Sequence, residues 1–473
     1  MRTNLEHVSE LTLEDFENEA LETLSSYARI ACLSPMFDAQ WEQNGKIEDA
    51  LQLFASWARR RQFGSFSVDV HRLEGRTPVL TVTVEPTAPT TGTVLLYGHL
   101  DKQPPLGDWS EGLAPFSPVR RGDRLYARGV ADDGYAIFSA LLALESLEAN
   151  GVPHARCVVL IEASEESGSP DLEFYLDDLK DHLGDVELLV CLDSGALTYD
   201  RLWVTTSLRG IIVAEVRIAV LAQGQHSGSA SGVVPSSFRI LRELLDRVED
   251  ATTGDILLPE FQSVIPDEHV QAARALAKEF GDIIARELPT LEGVQVMGDS
   301  PQNRILRRTW YPTLSVTGMG GIPSPESAGN VLRPFTTAVL SLRLPPNVDA
   351  EHASEALKVA LTTNVPSHAK VDVKIEGAKG WLAPTLAPWL VEALEEASIN
   401  AFGRAPGFTG EGGSIPFLAS LAARYPGVQF VATGVLGPQS NAHGIDEMLD
   451  LPMAVGVTNA VATVVGAHAR KEA

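Results

Sequence analysis

The stretch Thr93-Val94-Leu95-Leu96-Tyr97-Gly98-His99-Leu100-Asp101 decides how the chain is read. Thr93 to Leu96 is a run of β-branched and aliphatic residues, the composition of a buried strand, and Gly98 punctuates its end. A His and an Asp two residues apart, where a strand stops, stand where open α/β sheets gather their ligands. Taken alone the pair reads equally well as a loop imidazole and a solvated carboxylate. Its meaning depends on what the neighbouring segments end in.

Downstream, a short strand at 124–127 leads into Arg128-Gly129-Val130-Ala131-Asp132-Asp133-Gly134, and an apolar helix follows with Phe138, Leu141, Leu142, Leu144 and Leu147. Asp is a favoured N-cap and suits a helix dipole, so one of the two Asp residues has an ordinary explanation. The other carboxylate is left over. Residues 156–163 read as another buried strand, which ends in Glu165-Glu166-Ser167-Gly168. Adjacent carboxylates repel unless a cation or a shared proton compensates. After a helix over 171–183, the strand at 186–192 ends in Asp193-Ser194-Gly195. Three strand ends and one helix start thus carry His, Asp or Glu, and a plain structural domain has no need of them there.

Upstream, 13–33 and 47–62 carry helical periodicity, and 67–72 and 79–84 read as strands, which gives an α/β layer domain. The pattern changes near residue 207. A strand with β-branched alternation at 210–222 precedes Gly224-Gln225-His226-Ser227-Gly228. An amphipathic helix at 235–249 follows, with Pro at its start. Strands at 313–317, 337–344 and 371–375 surround a Gly/Pro-rich loop at 318–329 and a helix ending at 357–362. The reading is an α/β layer domain in two parts (1–206 and 383–473). An α+β domain is inserted between them at 207–382. The last part holds a helix at 388–400, the glycine-dense turn Gly410-Glu411-Gly412-Gly413-Ser414-Ile415-Pro416, a strand at 428–433, the loop Asn441-Ala442-His443-Gly444 and an apolar helix at 454–467.

At 473 residues the chain exceeds one ordinary core. Its 62 acidic residues against 37 basic ones give a formal charge of −25, which argues against nucleic acid or an anionic membrane as partner. Cys32, Cys157 and Cys191 are scattered and odd in number, so no disulfide framework or cysteine-based zinc site is expected. That usage suits a reducing, cytoplasmic setting. The first 18 residues are acidic with no apolar core, so no signal peptide is expected, and no apolar run of about 20 residues is read as a membrane span.

Collected, His99, Asp101, Asp132, Glu165, Glu166, Asp193 and His443 are the chemistry-bearing candidates. Two imidazoles with several carboxylates suit Zn²⁺, or Mn²⁺ where carboxylates dominate. Two cations sharing a carboxylate would polarise a carbonyl and activate a water, with one further carboxylate needed to carry its proton.

These motifs, in this order along nearly the whole chain, resemble the M20 family of metallopeptidases, in particular its carnosinase-like, cytosolic non-specific dipeptidase branch. The resemblance implies that His99 and Asp193 ligate one metal, Glu166 and His443 the other, and Asp132 both, through a cis peptide bond to Asp133. It implies Glu165 as general base and Asp101 as the residue orienting His99. It makes the two-part α/β domain the catalytic one, with a mixed sheet flanked by helices, and the inserted α+β domain a lid or dimerisation domain. It gives His226 a place in the partner subunit's site of a homodimer, where it steadies an oxyanion. Arg343 and Asn330 then contact substrate, with Gly413 and Ser414 in the glycine-dense turn. The implied cofactor is two divalent ions, zinc first, manganese or cobalt as alternatives. The implied activity is hydrolysis of a dipeptide or short peptide beside a free C-terminal carboxylate. An amidohydrolase or deacylase acting on N-acyl amino acids or another amide is the alternative. A binding protein that has lost catalysis would show a broken ligand or base, and none is broken. Three departures bear on substrate: Gly134-Tyr135 replaces the usual Lys-Gly, Gly410 stands where Arg is frequent, and Lys102 stands where an apolar residue is common. Gly410 and Lys102 are expected to flank the pocket.

Overall fold

The computed structural model describes residues 10–89, 92–413 and 415–471. In chain order, the strands used below are β1 (Phe66–His71), β2 (Val79–Val84), β3 (Thr93–His99), β4 (Arg156–Glu162), β5 (Val186–Cys191), β6 (Trp203–Leu208), β7 (Gly210–Ala219), β8 (Thr313–Gly320), β9 (Phe335–Leu344), β10 (Lys370–Ala378) and β11 (Gln429–Ala432). The helices are α1 (Lys46–Ala58), α2 (Ala136–Ala149), α3 (Ser237–Leu245), α4 (Asp267–Phe280), α5 (Pro301–Thr309), α6 (Ala350–Thr362), α7 (Pro388–Phe402) and α8 (Leu451–Arg470).

Two compact units result. The first comprises Met1–Thr206, Ala383–Thr409 and Ser420–Ala473, and the second Ser207–Leu382 with Gly410–Ala419. The glycine-dense turn therefore clusters with the second unit, although the sequence reading gave all of 383–473 to the first.

In the first unit the strands run in the order β1-β2-β4-β3-β5-β11-β6. The central four, β4, β3, β5 and β11, are parallel. β1 and β2 join antiparallel on one side and β6 on the other, so the sheet is mixed. β2 and β3 are buried along their whole lengths. This explains the continuous apolar run of β3, since a strand covered on both faces has no polar side to alternate with, while β2 buries Thr81 and Thr83 between its aliphatic residues. α8 packs against α7 and α2. It is long and apolar enough to cross a membrane, at 20 residues and mean hydropathy 1.3, but 72% of that window is buried within the fold. The length of this helix was not apparent in the sequence.

The parallel register aligns the carboxyl ends of three strands. His99, the last residue of β3, pairs with Glu162, the last of β4, and Tyr97 pairs with Cys191, the last of β5. The turns that leave these ends carry Asp101, Glu165-Glu166 and Asp193.

The second unit is an antiparallel sheet in the order β8-β9-β7-β10. β7 alternates buried and open positions, as a sheet covered on one face requires. Its inward residues Ile212, Ala214, Val216 and Ile218 pack with Leu340 and Leu342 of β9, Leu241 and Leu244 of α3 and Leu357 of α6. α3 is shorter than read: Ser236 is its N-cap, accepting from Arg239 N, and it stops at Leu245. α4 and α5, which the sequence reading passed over, pack on each other. Both are polar on average, and Ala273 and Leu276 are the buried residues of α4.

Candidate metal centre

Every predicted ligand lies in the first unit, and the fold gathers them at one place. His99 Nε2 lies 3.3 Å from Asp132 Oδ1 and 3.8 Å from Asp193 Oδ2. His443 Nε2 lies 3.0 Å from Asp132 Oδ2 and 3.2 Å from Glu166 Oε2. Donor atoms of His99, Asp132 and Glu166 fall within 4.8 Å of one another, as do those of His99, Glu165 and Asp193. His99 and Asp101 are fully buried, while the His443 side chain is 54% exposed.

Each position has a local cause. The Asp132-Asp133 peptide is cis. Neither Asp caps α2, whose N-cap is Tyr135 with no side-chain bond. Asp133 Oδ2 instead accepts from His99 N at 3.2 Å, and its Oδ1 is buried without a partner. Gly98 makes that approach possible. A Cβ there would lie 2.5 Å from Ala136 Cβ and 2.6 Å from the Asp133 carboxylate. His443 takes a left-handed backbone, φ 62°, which an L-residue holds only where its surroundings fix it.

Asp101 does more than orient His99. His99 Nδ1 is 3.1 Å from the Asp101 backbone carbonyl and 3.5 Å from its carboxylate. The carboxylate oxygens accept from Glu165 N at 3.1 Å and Glu166 N at 3.0 Å. The residue thus ties the end of β3 to the turn after β4. Gln103, which the sequence did not single out, donates to Glu166 Oε2 at 2.7 Å.

The electrostatics of the cluster show what it lacks. Burial, then the Asp193 charge, pushes Glu165 well above the usual carboxylate range, and burial, then Asp132, raises Glu166. Burial would raise Asp132 too, but the two imidazoles beside it prevail and hold it low. For His99, burial pushes down, but Asp101, Asp132 and Asp193 outweigh it and the imidazole ends well above its ordinary value. Carboxylates gathered in this way, Asp132, Glu165 and Glu166 among them, with no Lys or Arg paired to those three among the described residues, call for cations. Imidazole and carboxylate donors are the set that Zn²⁺ or Mn²⁺ takes, so the residues fit a divalent metal pair.

Comparison with known proteins agrees with this geometry. The model of peptidase family M20/M25/M40 matches residues 95–467. The chain belongs to this family. It is 28% identical over 372 residues to a cysteinylglycine-S-conjugate dipeptidase of Corynebacterium striatum, covering 76% of this chain and 77% of that one. Its fold matches the di-peptidase of Saccharomyces cerevisiae with a TM-score of 0.79, 21% identity and 98% of both chains covered. It matches human carnosine dipeptidase 1 with a TM-score of 0.78, 21% identity, and 97% and 98% covered. The chain is therefore an M20 dipeptidase-like hydrolase with the mixed-sheet domain and separate antiparallel domain of that fold.

The other predicted residues lie in the second unit. His226 and Asn330 are neighbours on a two-stranded ribbon: His226 pairs with Val331, and Ser227 N donates to Asn330 O at 2.9 Å. His226 Nδ1 accepts from Gly228 N at 3.1 Å. In the neutral ring the proton then sits on Nε2. Arg343, on β9, is half-buried. Arg209 is lowered to about 10 by burial and then by the charges of Arg343 and Arg308, and its guanidinium donates to the carbonyls of Gly412 (3.2 Å), Arg307 (3.4 Å) and Tyr311 (3.2 Å). Gly413 is exposed, with open space where a Cβ would be. Ser414 lies outside the described residues. Gly410 is hemmed in, since a Cβ there would lie 2.5 Å from Ser207 Oγ.

Lys102 does not flank a pocket. It is fully buried, and its ammonium donates to Tyr27 O (3.0 Å), Ala28 O (3.3 Å) and Ile30 O (2.8 Å), over the Tyr27 ring at 3.9 Å. These carbonyls end the helix Glu22–Ala28, where a cation satisfies unpaired acceptors. Burial lowers its pKa from 10.5 to about 8. Between pH 8 and 10.5 the unfolded chain binds more protons, so the contribution of Lys102 rises with pH across that window. At ~1.4 kcal/mol per pH unit the rise is about 3 kcal/mol. Urea denaturation of wild type and Lys102→Met at several pH values should show wild type gaining on the variant. A gap that stays flat from pH 8 to 10.5 contradicts the assignment.

Proposed function

We propose that the protein is a di-metal dipeptidase that hydrolyses the amide bond beside a free C-terminal carboxylate, with Glu165 carrying the proton. The Asp132 carboxylate carries this reading. Its two oxygens face different imidazoles, at 3.3 and 3.0 Å, and each imidazole has a second carboxylate of its own. That is the donor pattern of two cations sharing one ligand. Two such ions, zinc first, with manganese or cobalt as alternatives, would lend Lewis acidity to the scissile carbonyl and the attacking water. Glu165 is half-buried and its pKa is raised, which suits a group that takes a proton from water and returns it to the leaving amine. His226 is given the task of donating through Nε2 to the oxyanion in the partner subunit's site, with Asn330 beside it. Arg343, whose charge acts on Arg209, is the guanidinium offered to a substrate carboxylate, and Gly413 offers backbone to it. The relatives named for cysteinylglycine conjugates and for carnosine support a dipeptide over an N-acyl amino acid. Metal-loaded protein assayed on dipeptides and on N-acyl amino acids tests this. Turnover of the dipeptides is expected, and cleavage of N-acyl amino acids alone overturns it.

The reading includes a homodimer in a reducing compartment, the cytoplasm. Three free, buried cysteines suit the compartment. Edge strand β8 supports the dimer. It carries no charged residue, and Val316 and Met319 are 46% and 47% exposed. The opposite edge, β10, carries Lys370, Asp372, Lys374 and Glu376, as edges that avoid pairing do. Val316→Lys is expected to give a monomer on sizing with its helical signal intact; an unchanged dimer removes β8 from the interface.

A further inference from the structure

Glu447 and Arg128 are a buried ion pair, 2.7 Å apart and 0% and 1% exposed, close to the metal cluster and outside the donor set described above. As a stability device the pair is poor. Buried pairs seldom repay their desolvation, and Arg128 Nε is buried with no partner at all.

The contacts made by the pair indicate a different task. Glu447 Oε1 accepts from Gly129 N at 3.0 Å, Ala131 N at 3.1 Å and Asp132 N at 3.3 Å, and Oε2 accepts from Gly129 N at 3.0 Å. The carboxylate therefore cradles the backbone that delivers Asp132. Gly129 takes φ +83° inside this cradle, and a Cβ on it would lie 2.5 Å from Lys102 Cε, so the turn cannot shift toward Lys102. Arg128 Nη2 donates to the Gly444 carbonyl at 2.5 Å, next to His443. His443 itself lies four residues before Glu447, in a loop where Asn441, His443 and Asp446 all have positive φ. That loop has little regular structure of its own to hold it. The pair is the strut between the two segments whose side chains meet at His443 Nε2 and Asp132 Oδ2, 3.0 Å apart.

We propose that Glu447 and Arg128 are positioning residues that set the separation of Asp132 and His443, and so the affinity of the cation held on the His443 side. The proposal rests on the two-cation reading. Outer partners of metal ligands are worth about 10–100-fold in metal affinity, and that is the scale expected here. Metal-free protein would be titrated with Zn²⁺ against a chromophoric chelator, and with Co²⁺ while its visible spectrum is recorded. Glu447→Gln keeps the shape but removes the charge. It is expected to keep one equivalent near wild-type affinity, bind the second at least about tenfold more weakly, and alter the Co²⁺ bands of that second equivalent. Arg128→Lys keeps the charge and loses the fork that reaches Gly444. It is expected to weaken the same equivalent, and it serves if Glu447→Gln does not fold. Two equivalents bound with wild-type affinity and spectrum by a folded variant overturn the proposal, even if its melting temperature falls. A wild-type chain that binds fewer than two equivalents overturns the two-cation reading and this proposal together.

Discussion

Glu165→Gln is expected to leave the fold and the metal content intact and to lower kcat on a dipeptide by about 10²–10⁴-fold, the usual worth of a positioned acid–base. The amide matches the carboxylate in size but cannot take a proton. The turn that carries it is held independently of its side chain, because Asp101 accepts from the Glu165 and Glu166 backbone N–H groups. The substitution also separates two roles that geometry leaves adjacent. Glu165 donor atoms lie within 4.8 Å of those of His99 and Asp193. If Glu165 were a ligand, metal would be lost along with activity. If it carries protons, metal stays and turnover goes. Wild-type turnover in the variant removes Glu165 from the chemistry.

Asp132→Asn should have the opposite signature, loss of metal first. Among the described residues, Asp132 is the one carboxylate within 4 Å of both imidazoles. Those imidazoles hold its pKa low, so it stays charged, and that charge is what two neighbouring cations would share. Asn keeps one acceptor oxygen and no charge. We expect both equivalents to weaken by more than about 100-fold, beyond the range seen for outer partners of ligands, with hydrolysis at background. Elemental analysis after dialysis, together with the dipeptide assay, checks this. A variant that retains two tightly held ions contradicts the shared role of Asp132.

The sheet and the ligands were legible in the sequence for one physical reason. Fully buried parallel strands read as unbroken apolar runs, so β3, β4 and β5 could be located, and the polar residues at their ends stood out. His99, Glu165, Glu166 and Asp193 follow from that alone, whereas Asp132 entered as one of two adjacent carboxylates at a helix start and His443 as a loop imidazole, and the family pattern gave both their roles as ligands. Asp132 was masked by an ordinary capping explanation, which the structure removes by making Tyr135 the N-cap. What the sequence hid was long-range and polar. Nothing near Glu447 suggests that it would receive three backbone N–H groups from 129–132. Lys102 looked like a pocket residue because only its sequence neighbours were visible, while its partners lie more than 70 residues upstream. α4 and α5 were passed over although each is amphipathic, because both are polar on average.

The central claim is that these separated side chains hold two divalent cations on which hydrolysis depends. Stripping the wild-type protein with a chelator and restoring Zn²⁺ stepwise, with dipeptide hydrolysis read at each step, tests it most directly. The account predicts negligible turnover without metal and recovery that levels off at two equivalents. Full turnover by protein shown to be metal-free, or recovery complete without a second equivalent, contradicts it.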